Sequence, residues 1–404
     1  MNFGKLGLMA LATVGAVVSI GNAQAQSQTA IERSGNTFHK AVCARGNAPG
    51  EARCHSHVVT DARGNEMAGK PIDAAPNITP SGLSPADLQS AYYGGAAPAG
   101  STRTVVIVDA YGYANAEADL NVYRSQYGLG ACTTANGCFK KLDQRGGTAY
   151  PRNNTGWAQE QALDLDMASA MCPSCKIVLI ESDSASLANL AAAVNTGATL
   201  PGVVAISNSY GGGEAGSASY VSAYNHPGIA VTVSTGDSGY GAQFPATAPG
   251  AIAVGGTNLK RAATPRGWAE AAWTSGGSGC SSVHAKPGWQ TDPLCTNRME
   301  ADISAVADPA TGVAVYGPNT HGSGSSWLVF GGTSASAPII GGMYGAKGAG
   351  PANAASSIYA SPASNFNDVT SGTNGSCGGT YFCNTAVGYD GPTGRGTPIG
   401  TAGL

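Results

Sequence analysis

The chain has 404 residues, of which 42% are hydrophobic and only 11% charged, with a formal net charge of −3. This length suits one large α/β domain with a leader, the apolar share supports a sizeable core, and the charge excludes a basic nucleic-acid surface. So few charges also leave few buried or paired carboxylates to lose at low pH.

The first stretch, MNFGKLGLMALATVGAVVSIGNAQAQ, sets Lys5 before an apolar run that ends in Ala23-Gln24-Ala25. It reads as a secretory signal over residues 1–25 with a small-residue cleavage site. No later run is apolar enough to span a bilayer, so no membrane association is expected once the signal is removed. In an exported chain the 10 cysteines read as disulfides. They fall into close pairs, Cys43/Cys54, Cys132/Cys138, Cys172/Cys175, Cys280/Cys295 and Cys377/Cys383, and sequential pairing is expected, although spacing alone does not fix connectivity. The CPSC at 172–175 could be a redox motif or half of a zinc site. It follows a helix pattern and precedes a strand, the reverse of a thioredoxin-like order, which favours a structural bridge.

Residues 26–80 are polar and end in KPIDAAPNITPSG, reading as a short pro-segment or N-terminal extension with its linker. The texture then changes, and 81–404 reads as the main domain. Ser84 is placed to cap a helix whose first residue is Pro85. TVVIVDAYG (104–112) reads as a buried strand and ANAEADLNVYRSQYG as a helix. WAQEQALDLDMASAMC is helix, KIVLIES strand, LANLAAAVNTG helix and VVAISNSYG strand. A helix near 216–225 and the strands IAVTVSTGD and AIAVGGTNL follow. Apolar strands alternating with helices predict an α/β fold with a mostly parallel central sheet flanked by helices, with ligands at the carboxyl ends of the strands.

GGTSASAP (331–338) sets Ser334 at a helix start, where its hydroxyl resembles a hydrolase nucleophile. Such a serine needs a base to take its proton. None of the six histidines, His39, His55, His57, His226, His284 and His321, lies in a stretch built for that task. In WAQEQALDLD, Glu160 and Asp164 are one helical turn apart and share a face, while Asp166 lies off it. The pair reads either as surface charge on an amphipathic helix or as two carboxyls sharing a proton, one serving as base. Asp237, in VSTGDSGYG, follows a buried strand between glycines. It either makes a turn or projects into a crevice as a protonated hydrogen-bond donor.

These stretches, with FPATAPGAIAVGGT, SGGSGCSSVHAKPGWQ (275–290) and RMEADISAVADPATGVAVY (298–316), closely resemble the sedolisins, serine-carboxyl peptidases with a subtilisin-like fold. The likeness runs from about Ser84 to the C-terminus with every block in family order. It implies a subtilisin-like three-layer α/β fold and a secreted, acid-favouring endopeptidase acting on proteins or peptides as a monomer. It also implies that Ser334 is the nucleophile and Glu160 the general base, oriented by Asp164. Asp237, protonated, would join the Ser334 amide in an oxyanion hole. Release of tripeptides from free N-termini, which also occurs among relatives of this family, and a non-catalytic binding protein on a decayed peptidase fold are the alternatives.

NDVTSG (367–372) and AVGYDGPTGRGTP (386–398) resemble the family's calcium site. The resemblance implies one structural Ca²⁺ ligated by the Asp368 and Asp390 carboxylates and the Val369, Ala386 and Gly388 carbonyls. Ala386 stands where the family usually has glycine. Upstream, the family carries a large folded prodomain, whereas about 55 residues separate the signal from Ser84 here. Asp109 ends the first strand of the domain where a subtilisin places its aspartate, but no His-Gly-Thr helix start follows. GGMYGAKG (341–348) lacks the ending of a phosphate loop, and NIT, NNT and NGS matter as glycosylation sequons only in a eukaryotic secretory path.

Overall fold

The computed structural model describes residues 1, 30–44, 48–67, 80–320 and 324–404. The expected signal sequence, the 68–79 linker and His321 lie outside the described residues. The first elements are the strands β1 (Ile31–Ser34), β2 (Thr37–Ala41), β3 (Arg53–Cys54) and β4 (His57–Thr60). Ser84 caps α1 (Pro85–Tyr93): its hydroxyl accepts from the Asp87 amide while the Asp87 carboxylate accepts from the Ser84 amide. The alternation read from the sequence follows with β5 (Thr104–Ala110), α2 (Ala116–Gln126) and α3 (Thr155–Met171), and between the two helices lies β6 (Phe139–Asp143), which the sequence did not suggest. Then come β7 (Lys176–Ser182), α4 (Leu187–Ala198), β8 (Val203–Asn208) and β9 (Tyr210–Gly211). After a short 3-10 helix at Ser217–Tyr224 come β10 (Ala230–Ser234), β11 (Ile252–Arg261) and β12 (Trp268–Ala272).

The central sheet runs β12-β11-β10-β8-β5-β7-β6. All neighbours are parallel except β11 and β12, and β15 (Ile303–Val306) adds a parallel partner to β11. Every residue of β5 and β10 is buried, as expected of strands covered on both faces. The strands β13 (Gly279–Ala285) and β14 (Asn297–Glu300) form a separate antiparallel pair before β15. All five disulfides form in sequential pairs, and Cys172–Cys175 is one of them, a bridge between α3 and β7.

A second, antiparallel sheet joins the two ends of the chain in the order β1-β2-β4-β17-β16, where β16 is Val313–Pro318 and β17 is Ser325–Gly331. Phe330 and Gly331 of β17 pair with Val58 and His57 of β4. The segment upstream of the main domain is therefore held by a backbone ladder against the strand that leads into α5 (Thr333–Lys347).

The expectation of few buried carboxyls is not met. Asp109, Glu160, Asp164, Asp166, Asp237, Glu300 and Asp302 are all buried. A low overall charge does not dictate where the charges go. Desolvation raises the pKa of Asp109, Glu160, Asp164, Asp166, Asp237 and Glu300, so the interior accommodates these largely as neutral acids. Asp302 instead forms a buried pair with Arg298, Nη1 to Oδ1 at 2.8 Å and Nη2 to Oδ2 at 2.5 Å.

Candidate active site

α3 is buried from Trp157 to Met171, so it is a core helix rather than an amphipathic surface one, and the solvated-face reading of Glu160 and Asp164 falls. It packs beside α5. At the start of α5 the Ser334 amide has no intrahelical acceptor and is available to a carbonyl outside the helix. Pro338 lacks the amide that would bond the Ser334 carbonyl, and Ser209 Oγ lies 3.3 Å from that oxygen. Gly332, at φ 98°, lets the chain turn from β17 into α5; a Cβ there would lie 2.7 Å from Asp237 Oδ2.

Ser334, Glu160 and Asp164 are fully buried and Asp237 is 6% exposed. The Ser334 hydroxyl donates to the Ser209 carbonyl at 3.2 Å. Burial pushes Glu160 up to about 8, while the nearby Ser334 and Ser56 hydroxyls and the Asp164 carboxyl hold it below what desolvation alone would give. No donor is well aligned on either Glu160 oxygen. Asp164 is raised well above its ordinary value, first by burial and then by the charges of Asp109 and Glu160. Its Oδ1 accepts from Ser209 Oγ at 2.9 Å, and its Oδ2 has no partner. Such a pair retains a proton between its members at neutral pH.

Asp237 sits just past β10. Its Oδ1 accepts from Thr333 N at 2.8 Å and Thr333 Oγ1 at 2.7 Å, which leaves Oδ2 buried without a hydrogen-bond partner. Burial pushes Asp237 up to about 7, against the pull of the two Thr333 bonds. A protonated Oδ2 here is an unpaired donor beside Gly332, two residues before Ser334. The structure thus gathers Glu160, Asp164, Asp237 and Ser334 at the carboxyl-end side of the sheet, while Asp166 points elsewhere and accepts from Tyr316 N at 3.0 Å.

Several groups at this site were not singled out in the sequence. Ser209 and Thr333 orient the carboxyls as just described. Asp109, noted in the sequence only as standing where a subtilisin places its aspartate, lies behind the pair with neither oxygen hydrogen-bonded, and its pKa is raised by burial and then by the charges of Glu160 and Glu181. The largest omission is the chain upstream of the domain. Residues 50–57 run through the site: Leu187 N donates to Gly50 O, Ala52 N donates to Ala185 O, and Arg53 and Cys54 pair antiparallel with Gly211 and Tyr210. His55 N then donates to Ser209 O, and Ser334 N donates to His55 O, both at 3.1 Å. His57 Nε2 lies 3.6 Å from Asp237 Oδ2. The only hint in the sequence was the run HSHVV, which alternates two histidines within an apolar strand. By contrast His226 and His284 bond Ala223 O and Ser217 Oγ.

At the C-terminal loop, Asp368 Oδ2 accepts from Gly388 N and Asp390 Oδ2 from Ala386 N, both at 2.9 Å. Asp390 Oδ1 accepts from Thr393 N and Oγ1 at 2.8 Å. Burial pushes Asp390 up to about 7, and the Asp368 charge pushes it further the same way. Neither acid forms a salt bridge among the described residues. Two mutually repelling carboxylates on one loop, without a basic partner, fit a hard cation with oxygen ligands. Val369, whose carbonyl is the remaining expected ligand, is buried beside Asp368.

No family model matches the chain. It is 29% identical over 393 residues to kumamolisin from Bacillus sp. (strain MN-32), covering 86% of this chain and 67% of that protein. It is 28% identical over 380 residues to sedolisin from Pseudomonas sp. (strain 101), covering 83% of this chain and 62% of that one. A stretch of 227 residues, 42% of this chain, is 30% identical to tripeptidyl-peptidase sed1 of Aspergillus fumigatus and covers 34% of it. Among solved structures, Pseudomonas sedolisin (serine-carboxyl proteinase) complexed with pseudo-iodotyrostatin matches with a TM-score of 0.65 and 24% identity, over 80% of this chain and 96% of that one. The architecture is the subtilisin-like α/β fold with a mostly parallel central sheet.

Proposed function

We propose, from the premise that this chain belongs to the sedolisin–kumamolisin family of serine-carboxyl peptidases, that it is a secreted endopeptidase favoured by acid. The observation that carries this reading is the convergence of an acid pair and a protonatable aspartate on one serine hydroxyl and amide. Ser334 Oγ attacks the substrate carbonyl and gives its proton to Glu160. Asp164, protonated, donates to Glu160 and so lowers the cost of ionising that residue, which burial otherwise keeps protonated. The oxyanion that forms is met by Ser334 N–H and by the free Oδ2–H of Asp237, a placement where each donor contributes about 3–4 kcal/mol to lowering the barrier. Collapse of the intermediate returns the proton from Glu160 to the leaving amine, and water repeats the sequence to free the serine.

Internal cleavage is favoured over tripeptide release by the path of residues 50–57. The chain continues along the body for at least five residues before the carbonyl that faces Ser334 N–H, so this side of the cleft is not closed after three. Asp368, Val369, Ala386, Gly388 and Asp390 hold one structural Ca²⁺, which tethers the C-terminal loop. Five disulfides suit an extracellular location, and no described helix is long and apolar enough to cross a membrane.

The test is digestion of casein at pH 3–5 by the wild-type protein and by Ser334→Ala, with the products sized by mass spectrometry. Internal fragments from the wild type and none from the variant are expected. Equal digestion by both proteins removes Ser334 as nucleophile, and products of three residues only replace the endopeptidase with a tripeptidyl-peptidase.

A further inference from the structure

We propose that residues 53–57 lie across Ser334 as a peptide substrate does, that the pocket made by Gly211, Ser234 and Gln243 selects histidine before the cleaved bond, and that His55–Ser56 is the chain's own first substrate. The proposal rests on the reading of Ser334 as nucleophile given above.

The backbone carries the first part. A peptide bound for acyl transfer pairs its upstream residues with a strand edge and sets one carbonyl among the oxyanion donors. Arg53 and Cys54 pair antiparallel with β9, and the His55 carbonyl accepts from Ser334 N–H at 3.1 Å. A Cβ on Gly332 would lie 2.1 Å from that carbonyl oxygen and 2.7 Å from Asp237 Oδ2, so the two oxygens converge on one spot. On the other side of the bond the Ser56 hydroxyl lies beside Glu160, and His57 pairs with Gly331. The bond presented to Ser334 is therefore His55–Ser56.

The side chain of His55 carries the second part. It is 1% exposed, with Nδ1 2.7 Å from Ser234 Oγ and Nε2 3.1 Å from Gln243 Oε1. A neutral imidazole satisfies both: Nε2–H donates to Gln243 and Nδ1 accepts from the Ser234 hydroxyl. Burial holds His55 in that neutral form, down at about 3. Gly211 is required beneath the ring, because a Cβ there would lie 2.6 Å from His55 Cε1. Gly236 is required for Gln243, whose Nε2 would be 2.5 Å from a Cβ at that position. An aliphatic side chain in this pocket leaves two buried polar groups unpaired, which is how a hydrogen-bonding site rejects an analogue.

In the reaction Ser334 Oγ bonds to the His55 carbonyl carbon and its proton passes to Glu160. The bond to the Ser56 nitrogen breaks as that nitrogen takes the proton. Water then hydrolyses the ester to a His55 carboxylate and restores the Ser334 hydroxyl. The cut does not by itself release the pieces. Cys43–Cys54 closes the upstream loop, and β2 pairs with β4 across it, Ala41 opposite His57.

The test uses the full chain. Purified wild type, Ser334→Ala and His55→Ala proteins are held at pH 4, then unfolded, reduced and measured by mass spectrometry. Wild type is expected to yield fragments ending at His55 and beginning at Ser56, Ser334→Ala to yield none, and His55→Ala to be cut roughly tenfold more slowly. In parallel, peptides differing only in the residue before a serine are expected to show roughly tenfold higher kcat/KM for His than for Ala, a ratio that Gln243→Leu brings towards one. Peptide cleavage that depends on Ser334 but shows no advantage for histidine overturns the assigned pocket, and a first cut at another bond overturns the assigned register. Absence of any Ser334-dependent cleavage, in the chain or in peptides, instead removes the nucleophile on which both rest.

Discussion

Asp237 owes its chemistry to the unequal treatment of its two oxygens. Thr333 supplies both donors to Oδ1, so the proton that burial retains must sit on Oδ2, beside the amide of Ser334. If Asp237 serves as the proposed oxyanion donor, rate depends on its protonated form, which is present below its pKa and lost as pH rises through about 7. Asparagine in its place can accept from Thr333 through its oxygen and donate through its nitrogen without titrating. The expected outcome is that Asp237→Asn keeps more activity than Asp237→Ala, whose kcat falls by roughly a hundredfold. The alkaline limb of kcat against pH should flatten in the Asn variant only. An unchanged limb in that variant would assign the titration to another group.

Among elements, β1, β2 and β4 behave differently from the body on which they dock. His39, His55 and His57 are buried and neutral there, with His39 held down at about 4 and His55 at about 3 by desolvation. The groups facing them are Asp308 and Glu32 around His39, and Arg53 and the raised Asp237 around His55 and His57. Histidines depressed in the docked state contribute stability that is complete above their unfolded value near 6.5. That stability is lost as pH falls towards the docked values, at about 1.4 kcal/mol per pH unit for each histidine. Acidification from pH 7 to pH 4 is therefore expected to raise amide exchange in residues 37–60 well before it does so in β5 or β10. Equal protection of both regions at pH 4 would count against this.

At the scale of the whole molecule the buried acids work in the opposite direction. Asp109, Asp164, Asp166 and Glu300 have raised pKa values in the fold, so their contribution is present at low pH and is lost as pH rises. Acid that loosens the docked segment thus leaves the body intact. The far end of the chain depends on a different charge balance. Asp368 and Asp390 repel across one loop, and the proposed cation would relieve that repulsion. EDTA at neutral pH is expected to lower Tm by several degrees, with recovery on adding Ca²⁺ and little recovery with Mg²⁺. Asp390→Asn should lower Tm and remove the response to EDTA. A Tm indifferent to EDTA in the wild type would exclude the ion.

Periodicity and composition were enough to place α1 to α4 and β5, β7, β8, β10 and β11, because helix caps, apolar runs and turns are local properties of the chain, whereas β6 and the strands after β11 were not placed. Close cysteine spacing likewise matched the bridges, since short loops bring such residues within reach of one another. The one-turn spacing of Glu160 and Asp164 was legible for the same reason, and family likeness drew Ser334 and Asp237 to them. What no local pattern could indicate is that α3 is buried all round, which turns an ordinary-looking acid pair into one that retains a proton. Nor could it indicate that a polar stretch ahead of the domain pairs with β17 and sets the His55 carbonyl against Ser334. Both follow from contacts between residues far apart in the sequence, and only the packed chain determines which groups lose their water.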